Sequence, residues 1–277
     1  CSSVIALLLI STGMIITIFS GNVLLVFNGL MCMRNNIYTA GLFKGNLTIE
    51  NSTISTNSPL NYYLSQAIFV VKYDKNNKFI WLKKIAECYT LNNFSWAKSK
   101  NNNFQFAIGY SGKIFFETDS FTSSGNEDIL LIKYDSGFTF KYYTNIGNYN
   151  GESITKNSLK FDNYENCYLT GSFNNTWFGN YQNYTLIIGM DTLTANNEDM
   201  FIVKFDTLGN AIWAKSYGGN GIDGNSYITC YKNSLFFCGN FGSDIDNYIG
   251  NIHVIYPNNY YSCCFLSKLD SNGNVIW

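Results

Sequence analysis

Four segments of this 277-residue chain align without a gap: FVVKYDKNNKFIW (69–81), LLIKYDSGFTFKY (130–142), FIVKFDTLGNAIW (201–213) and FLSKLDSNGNVIW (265–277). A chain that repeats itself must build one small unit several times and bury each copy against its neighbours. Each copy has three strand residues, a Lys, an apolar residue and an Asp, with an aromatic seven residues after the Asp. The lysines are Lys72, Lys133, Lys204 and Lys268. The aspartates are Asp74, Asp135, Asp206 and Asp270, and the aromatics Trp81, Tyr142, Trp213 and Trp277. A second element interleaves with the first: NNIYTAGLF (35–43), NNFQFAIGY (102–110), NCYLTGSFN (166–174) and NSLFFCGNF (233–241). Its glycines, Gly41, Gly109, Gly171 and Gly239, stand 68, 62 and 68 residues apart, against Asp spacings of 61, 71 and 64.

Both elements read as β-hairpins. In the first, the Asp bonds the turn backbone, and Gly209 and Gly273 supply a positive φ. Asn77 takes the same place at some cost. The second copy carries Phe138 there, with Gly137 one residue earlier, so a different turn is expected. The second element turns at Asn35-Asn36 and Lys232-Asn233, and its Gly allows close backbone approach. Residues 44–66 and 174–199 read as long polar returns, and no amphipathic helix is visible. About four strands per unit at this period predicts an all-β fold, a β-propeller of four-stranded blades. The units fall at about 67–125, 126–196 and 197–262 within a repeat region 22–277, with partial units at 22–66 and 263–277.

FIVKFDTLGNAIWAKSYGGNG followed by SLFFCGNF resembles the bacterial β-propeller repeat called SBBP. Copies one and two lack the Gly-Gly after the second strand, apart from a lone Gly147. The resemblance covers residues 35 to 277 and implies blades of a seven-bladed propeller, of which about four are represented, with Trp277 falling in mid-blade. It implies a scaffold and carries over no shared catalytic residues.

Composition narrows the function. With 18 Lys+Arg against 19 Asp+Glu the net charge is −1, which gives no basic field for nucleic acid. Asn reaches 39 residues, whereas His253 and Arg34 are the single His and Arg, so much catalytic chemistry is hard to staff. The eight cysteines contain no C-x-x-C, and one His is too few for the usual zinc sets. Cys167 and Cys238 read as small buried hydrophobes, and adjacent Cys263 and Cys264 point to opposite strand faces. Residues 1–21 form an apolar segment, with no charge before Arg34. It reads as a signal peptide or membrane anchor, or else as a degenerate first hairpin turning at Ser11-Thr12-Gly13.

The chemical motifs mostly dissolve into the repeat. Gly219 to Gly224 spells G-x-G-x-x-G, but a strand-like SYITC follows where a dinucleotide site needs a helix. Oxygen-rich 242–247 and 270–274 could hold calcium, although the second is already a hairpin turn. Asp135-x-Gly137 is like the Asp box of sialidases, yet Arg34 alone cannot supply an arginine cluster. His253 reads as a partly buried structural residue in an apolar strand, and sequons at Asn46, Asn51, Asn93, Asn174 and Asn183 fit exposed loops. No catalytic, cofactor or metal residue is singled out.

The expectation is therefore a secreted or cell-surface, non-catalytic binding scaffold for protein or carbohydrate, touching a membrane only through an N-terminal anchor. Trp177, Tyr181, Tyr184, Tyr260 and Tyr261, in the variable stretches, are the candidate ligand-contact aromatics. The competing expectations are a polysaccharide hydrolase or lyase using a carboxylate pair, and a structural spacer.

Overall fold

The computed structural model describes the backbone of residues 17–20, 23–32, 36–56, 65–174, 184–242, 247–254 and 262–277, with side chains from residue 36 onward within those ranges. The described chain is all-β, with no helix among these residues. It divides into two compact units, residues 1–91 with 111–122, and residues 92–110 with 123–277.

The first unit opens with β1 (Thr17–Ser20), β2 (Val23–Cys32) and β3 (Asn36–Lys44), followed by β4 (Asn46–Ile49), β5 (Ser52–Ser55) and β6 (Gln66–Asp74). β7 (Phe79–Lys98) starts in this unit and ends in the second, and β8 (Phe104–Phe116) does the reverse before β9 (Asp119–Thr122). β1, β2, β3, β6 and β7 pair in that order, all antiparallel. Phe43, Leu47, Phe69, Val71 and Leu82 form a core cluster of this unit among the described residues, with Phe43 edge-on to Phe69 at 6.1 Å.

The second unit adds β10 (Asp128–Tyr134), β11 (Phe140–Ile146), β12 (Glu152–Ser153), β13 (Leu159–Phe161) and β14 (Cys167–Phe173). Then follow β15 (Tyr184–Ile188), β16 (Asp191–Ala195), β17 (Asp199–Phe205), β18 (Ala211–Tyr217), β19 (Gly224–Tyr231) and β20 (Ser234–Phe241). β21 (Asn247–Ile249), β22 (Ile252–Val254) and β23 (Cys263–Asp270) complete the described strands. They form successive antiparallel sheets: β7-β8-β10-β11, then β12/β13-β14-β17-β18, then β19-β20-β23 with a bridge from Leu269 to Val275. Each sheet joins one second-element hairpin to the first-element hairpin that follows it. The sheets are thus out of phase with the sequence copies by half a unit.

The third strands are seven-residue apolar runs buried along their length, DILLIKY in β10 and DMFIVKF in β17, though Lys204 in the second is only half-buried. Such runs fit a strand covered on both faces. The pleat then splits β17 between two cores. Phe201, Val203 and Phe205 pack with Ile129, Leu131 and Leu169, whereas Met200 and Ile202 pack with Phe237, Phe241 and Leu269. The middle sheet is therefore sandwiched by its two neighbours. The repeated glycines sit where the sheet is crowded. Gly171 pairs with Phe201 and Gly239 with Phe265, and a Cβ at Gly171 would come 2.3 Å from the Ser153 carbonyl oxygen and 2.8 Å from the Phe201 ring.

The stretches 44–66 and 174–199, expected as polar returns, instead carry hairpins of their own, β4–β5 and β15–β16. The alternating apolar residues Leu186, Ile188, Leu193 and Ala195 bury one face of the second against the core. β21–β22 is a third such insert, between β20 and β23.

One turn recurs six times among the described residues, at Asp74, Ser99, Asp135, Asp162, Asp206 and Asp270. The first residue's N–H donates to the carbonyl four residues on, and its own carbonyl accepts from the N–H three residues on. At the five aspartates, Oδ1 also accepts the N–H groups two and four residues on, as in Asp135 with Gly137 and Thr139 at 2.9 Å each. The fourth residue takes the left-handed conformation: Asn77, Asn102, Phe138, Glu165, Gly209 and Gly273 have φ of 63°, 67°, 62°, 68°, 91° and 75°. The Asp135 turn is thus the same as the others, against expectation. Burial explains it, because Phe138 is 3% exposed, stacks on Tyr134 at 4.8 Å and meets Phe104 at 5.1 Å. A left-handed Phe costs about 1–2 kcal/mol, while losing a buried Phe ring costs about 3–5 kcal/mol. Packing wins, so Phe138→Gly is expected to destabilise by about 2 kcal/mol in urea unfolding, although it relieves the backbone. A gain in stability would show that the strain outweighs the ring.

Candidate functional site

The strands present two chemically distinct ends. The first is the turn end, where the repeated Lys and aromatic residues reach from one sheet to the next. Lys133 lies opposite Tyr142 in register, with Nζ 5.4 Å from that ring, and donates to the Thr207 carbonyl at 2.9 Å. Lys204 lies opposite Trp213, holds Nζ 5.4 Å from the Tyr168 ring, and donates to the Ser271 carbonyl at 3.2 Å. Thr207 and Ser271 each follow the turn Asp of the next sheet. The aromatics dock on the same turns. A Cβ at Gly209 would fall 2.4 Å from the Tyr142 ring and one at Gly273 2.8 Å from Trp213, whose Nε1 also donates to Ser271. Thr144, Lys215 and Tyr217 add hydrogen bonds to Gly209, Asn274 and Gly273.

In the first unit Lys72 lies 5.5 Å from the Tyr38 ring, beside Trp81 edge-on at 6.0 Å. The N–H of Lys268 donates to the carbonyl of Trp277. Asp206 and Asp270 would be raised by burial, but the N–H donors of their own turns hold both carboxyls below the usual range. Asp270 thus has its oxygens taken by the Asn272 and Asn274 backbone and the Asn274 side chain.

The strand starts carry the opposite chemistry. Glu127-Asp128 and Glu198-Asp199 precede or open the third strands β10 and β17, and Glu152 and Asp223 sit at the next sheet's entry. The backbone repeats here too, since Glu152 N–H donates to the Glu127 carbonyl and Asp223 N–H to the Glu198 carbonyl, each at 2.8 Å. Asp223 accepts from Gly219 and Gly242 N–H at 2.8 and 2.7 Å, Glu152 from Asn148, and Asp128 from Ser124 and Asn145. These carboxylates tie the connecting loops to the sheets. A Cβ at Gly218 would lie 2.3 Å from Asp199 Oδ1 and 2.7 Å from Asp223 Oδ2, so the two groups crowd one point. Asp199 Oδ1 and Glu152 Oε1 are buried without a hydrogen-bond partner among the described residues.

Burial, reinforced by neighbouring carboxylates, pushes Glu127 up to about 7 and Glu152 and Asp199 up to about 8. Glu198 is raised by burial and the Asp223 charge against the Ser172 hydroxyl, and Asp128 is raised by burial. Glu127 and Glu198 occupy equivalent places, are half-buried, and Glu127 feels the charge of Glu198. No carboxylate pair had been singled out in the sequence. The sequence carries the signal as a Glu-Asp doublet repeated before ILLIKY and MFIVKF.

Of the contact aromatics, Tyr184 lies half-buried on β15, and Trp177, Tyr181, Tyr260 and Tyr261 fall outside the described residues, as do Ser11-Thr12-Gly13, Arg34 and most of 242–247. His253 is exposed rather than partly buried, on the β21–β22 hairpin, stacked on Tyr248 at 4.7 Å. That short hairpin has too little sheet behind it to cover the ring. Cys167 is buried and Cys238 half-buried, and the six cysteines with described side chains are free thiols. The sequon residue Asn174 is also buried, bonded to Asn150 and the Asn197 carbonyl. Gly219–Gly224 leads into strand β19. Among the described residues no group of three or more His, Cys, Asp or Glu is arranged to hold a metal ion. Compared with known proteins, no family model matches the chain and no curated sequence matches it.

The two ends predict opposite pH effects. A carboxyl raised on folding stabilises fully below its unfolded pKa, and that contribution is lost as pH rises through the folded value. Glu127, Glu152 and Asp199 therefore predict a urea midpoint that falls between about pH 5 and 8. The lowered turn aspartates act the other way, losing their contribution as pH drops through and below 3.8. Asp199→Asn is expected to flatten the alkaline fall, and an unchanged midpoint profile in that variant would refute the assignment.

Proposed function

We propose that the stacked antiparallel sheets are four-stranded blades of a β-propeller, and that the chain is a non-catalytic binding scaffold for carbohydrate or protein, exported or displayed at the cell surface. The observation that carries this reading is the fate of the repeated residues. Lys133 and Lys204 each donate to a carbonyl of the next sheet, Thr207 or Ser271, and the turn aspartates accept the N–H groups of their own turns. The recurring chemistry is thus architectural, which leaves specificity to the variable connections. The SBBP-like pattern and the middle sheet's burial on both faces support blades. The apolar run Val4 to Phe19 supports export.

A second reading rests on Glu127 and Glu198. A half-buried carboxyl titrating near 7 suits a general acid, and a second carboxylate nearby is the arrangement of a saccharide hydrolase or lyase. One experiment separates the two. The purified chain is screened on a glycan array and incubated with the polysaccharides it retains, with release of new chain ends as the readout. Retention without new chain ends is expected. Release that disappears in Glu127→Gln would establish the enzyme instead, and no retention of any glycan or protein would remove the binding role.

A further inference from the structure

The latch between sheets is built twice in the second unit, and one difference between the two copies changes the space around the lysine. In the first, Lys133 reaches Thr207 with the Phe161 ring 5.9 Å from its Nζ. Phe161 pairs with Cys167 on β14, four residues before Gly171. The equivalent place in the next sheet, opposite Leu235 and four residues before Gly239, holds Cys230. A thiol replaces a phenyl ring, and the five-residue turn at Asp162 is replaced by the two-residue turn Lys232-Asn233. Space opens where the repeat departs from its own rule. A cavity of about 230 Å³ lies there, lined by Cys230, Lys204, Tyr164, Tyr168 and the 232–235 turn.

The cavity's chemistry is cationic and mixed. Lys204 and Lys232 line it, and Lys160 is close enough to act on Cys230. Asp162 lines it and Asp270 lies close, but both are engaged. Asp162 accepts from the Tyr164 and Asn166 N–H groups, the Asn166 amide and the Tyr168 hydroxyl, and Asp270 from its own turn. Lys204 donates to Ser271, whereas Lys232 is exposed and meets only the Tyr231 ring among the described residues. The lining thus sets two lysines against one carboxylate, whose oxygens already hold donors, and the exposed Lys232 is the cation open to an incoming ligand. The Tyr164 ring is 72% exposed and offers a flat apolar wall, and Asn233 and Ser234 offer an amide and a hydroxyl. A pocket this small takes one compact unit rather than an extended ligand. Burial pushes the Cys230 thiol up to about 12, so it is a space-making group and not a nucleophile.

We propose that this inter-sheet cavity binds a single acidic sugar unit, its carboxylate between Lys204 and Lys232 and its ring face on Tyr164. The proposal rests on the carbohydrate-binding reading above and names its site and ligand class. The test is an amide NMR titration of the chain with glucuronate, and with glucose as the neutral control, at up to about 50 mM, above the range of weak sites. Glucuronate is expected to shift the amides of Tyr231 to Leu235, with glucose at least about tenfold weaker. Cys230→Phe, which restores the residue type of the preceding latch, is expected to abolish the shifts. Lys232→Asn, which removes the charge and suits the φ of 54° at that turn, is expected to weaken glucuronate about tenfold. Should Cys230→Phe fail to fold, Lys232→Asn decides alone. Equal response to glucose, shifts that survive the variants, or no shifts at all would overturn the proposal. Glycan retention that persists in Lys232→Asn while the cavity gives no shifts would leave the carbohydrate reading standing and move its site elsewhere.

Discussion

The sheets of the second unit depend on a buried cation finding an oxygen. Lys133 is 5% exposed, and an ammonium that deep is tolerable only with a partner to replace water. Its carbonyl partner, Thr207, belongs to the next sheet's turn, which the Asp206 carboxylate holds in place. Burial pulls the Lys133 pKa down, against the pull of the Glu165 and Asp206 carboxylates. Hence a neutral side chain there would leave the Thr207 carbonyl without its donor, and a misplaced turn would strand the cation. Lysine, turn and aromatic lid form one device, and the chain repeats all three together.

The opposite end solves a different problem. Connections such as 147–152 and 218–224 must cross between sheets while their backbone N–H groups stay satisfied. Asp223 and Glu152 accept N–H groups of these two connections, and Asp128 that of Ser124, at the cost of burying carboxylates close together. One end thus ties its lysines to the carbonyls of turns that their own aspartates hold, while the other is anionic and tied to amides. A seven-residue strand separates them, so neither set neutralises the other.

Much of the architecture was legible because the repeat exposes it. Lys-x-Asp followed by an aromatic marks the outer hairpin, and Gly171 and Gly239 mark the close packing opposite Phe201 and Phe265. The insert hairpins escaped notice because β15 and β16 alternate over only five residues each, embedded in polar sequence. Phe138 misled because propensity forbids a left-handed Phe, and only the tertiary contact with Tyr134 and Phe104 overrides it. His253 misled because NIHVI reads as apolar, although a two-stranded hairpin buries little. The carboxylate ends were visible as doublets, but their burial follows from sheet stacking, which no single copy encodes. The cavity at Cys230 is a departure between copies, readable only once Phe161 and Cys230 are known to occupy the same place.

The half-unit offset between sequence copy and sheet carries a consequence for how such a chain can lengthen. Each copy ends with a hairpin that lacks its partner and begins with one that supplies it. Inserting one whole copy anywhere between two others therefore completes the sheet on its left and hands an identical open edge to its right. No junction has to be invented, because the new seam has the same pairing, lysine and turn as the old ones. A gene that gained or lost copies by recombination would keep every sheet intact, and selection would be left to act on the short inserts and on single sites such as 161 and 230.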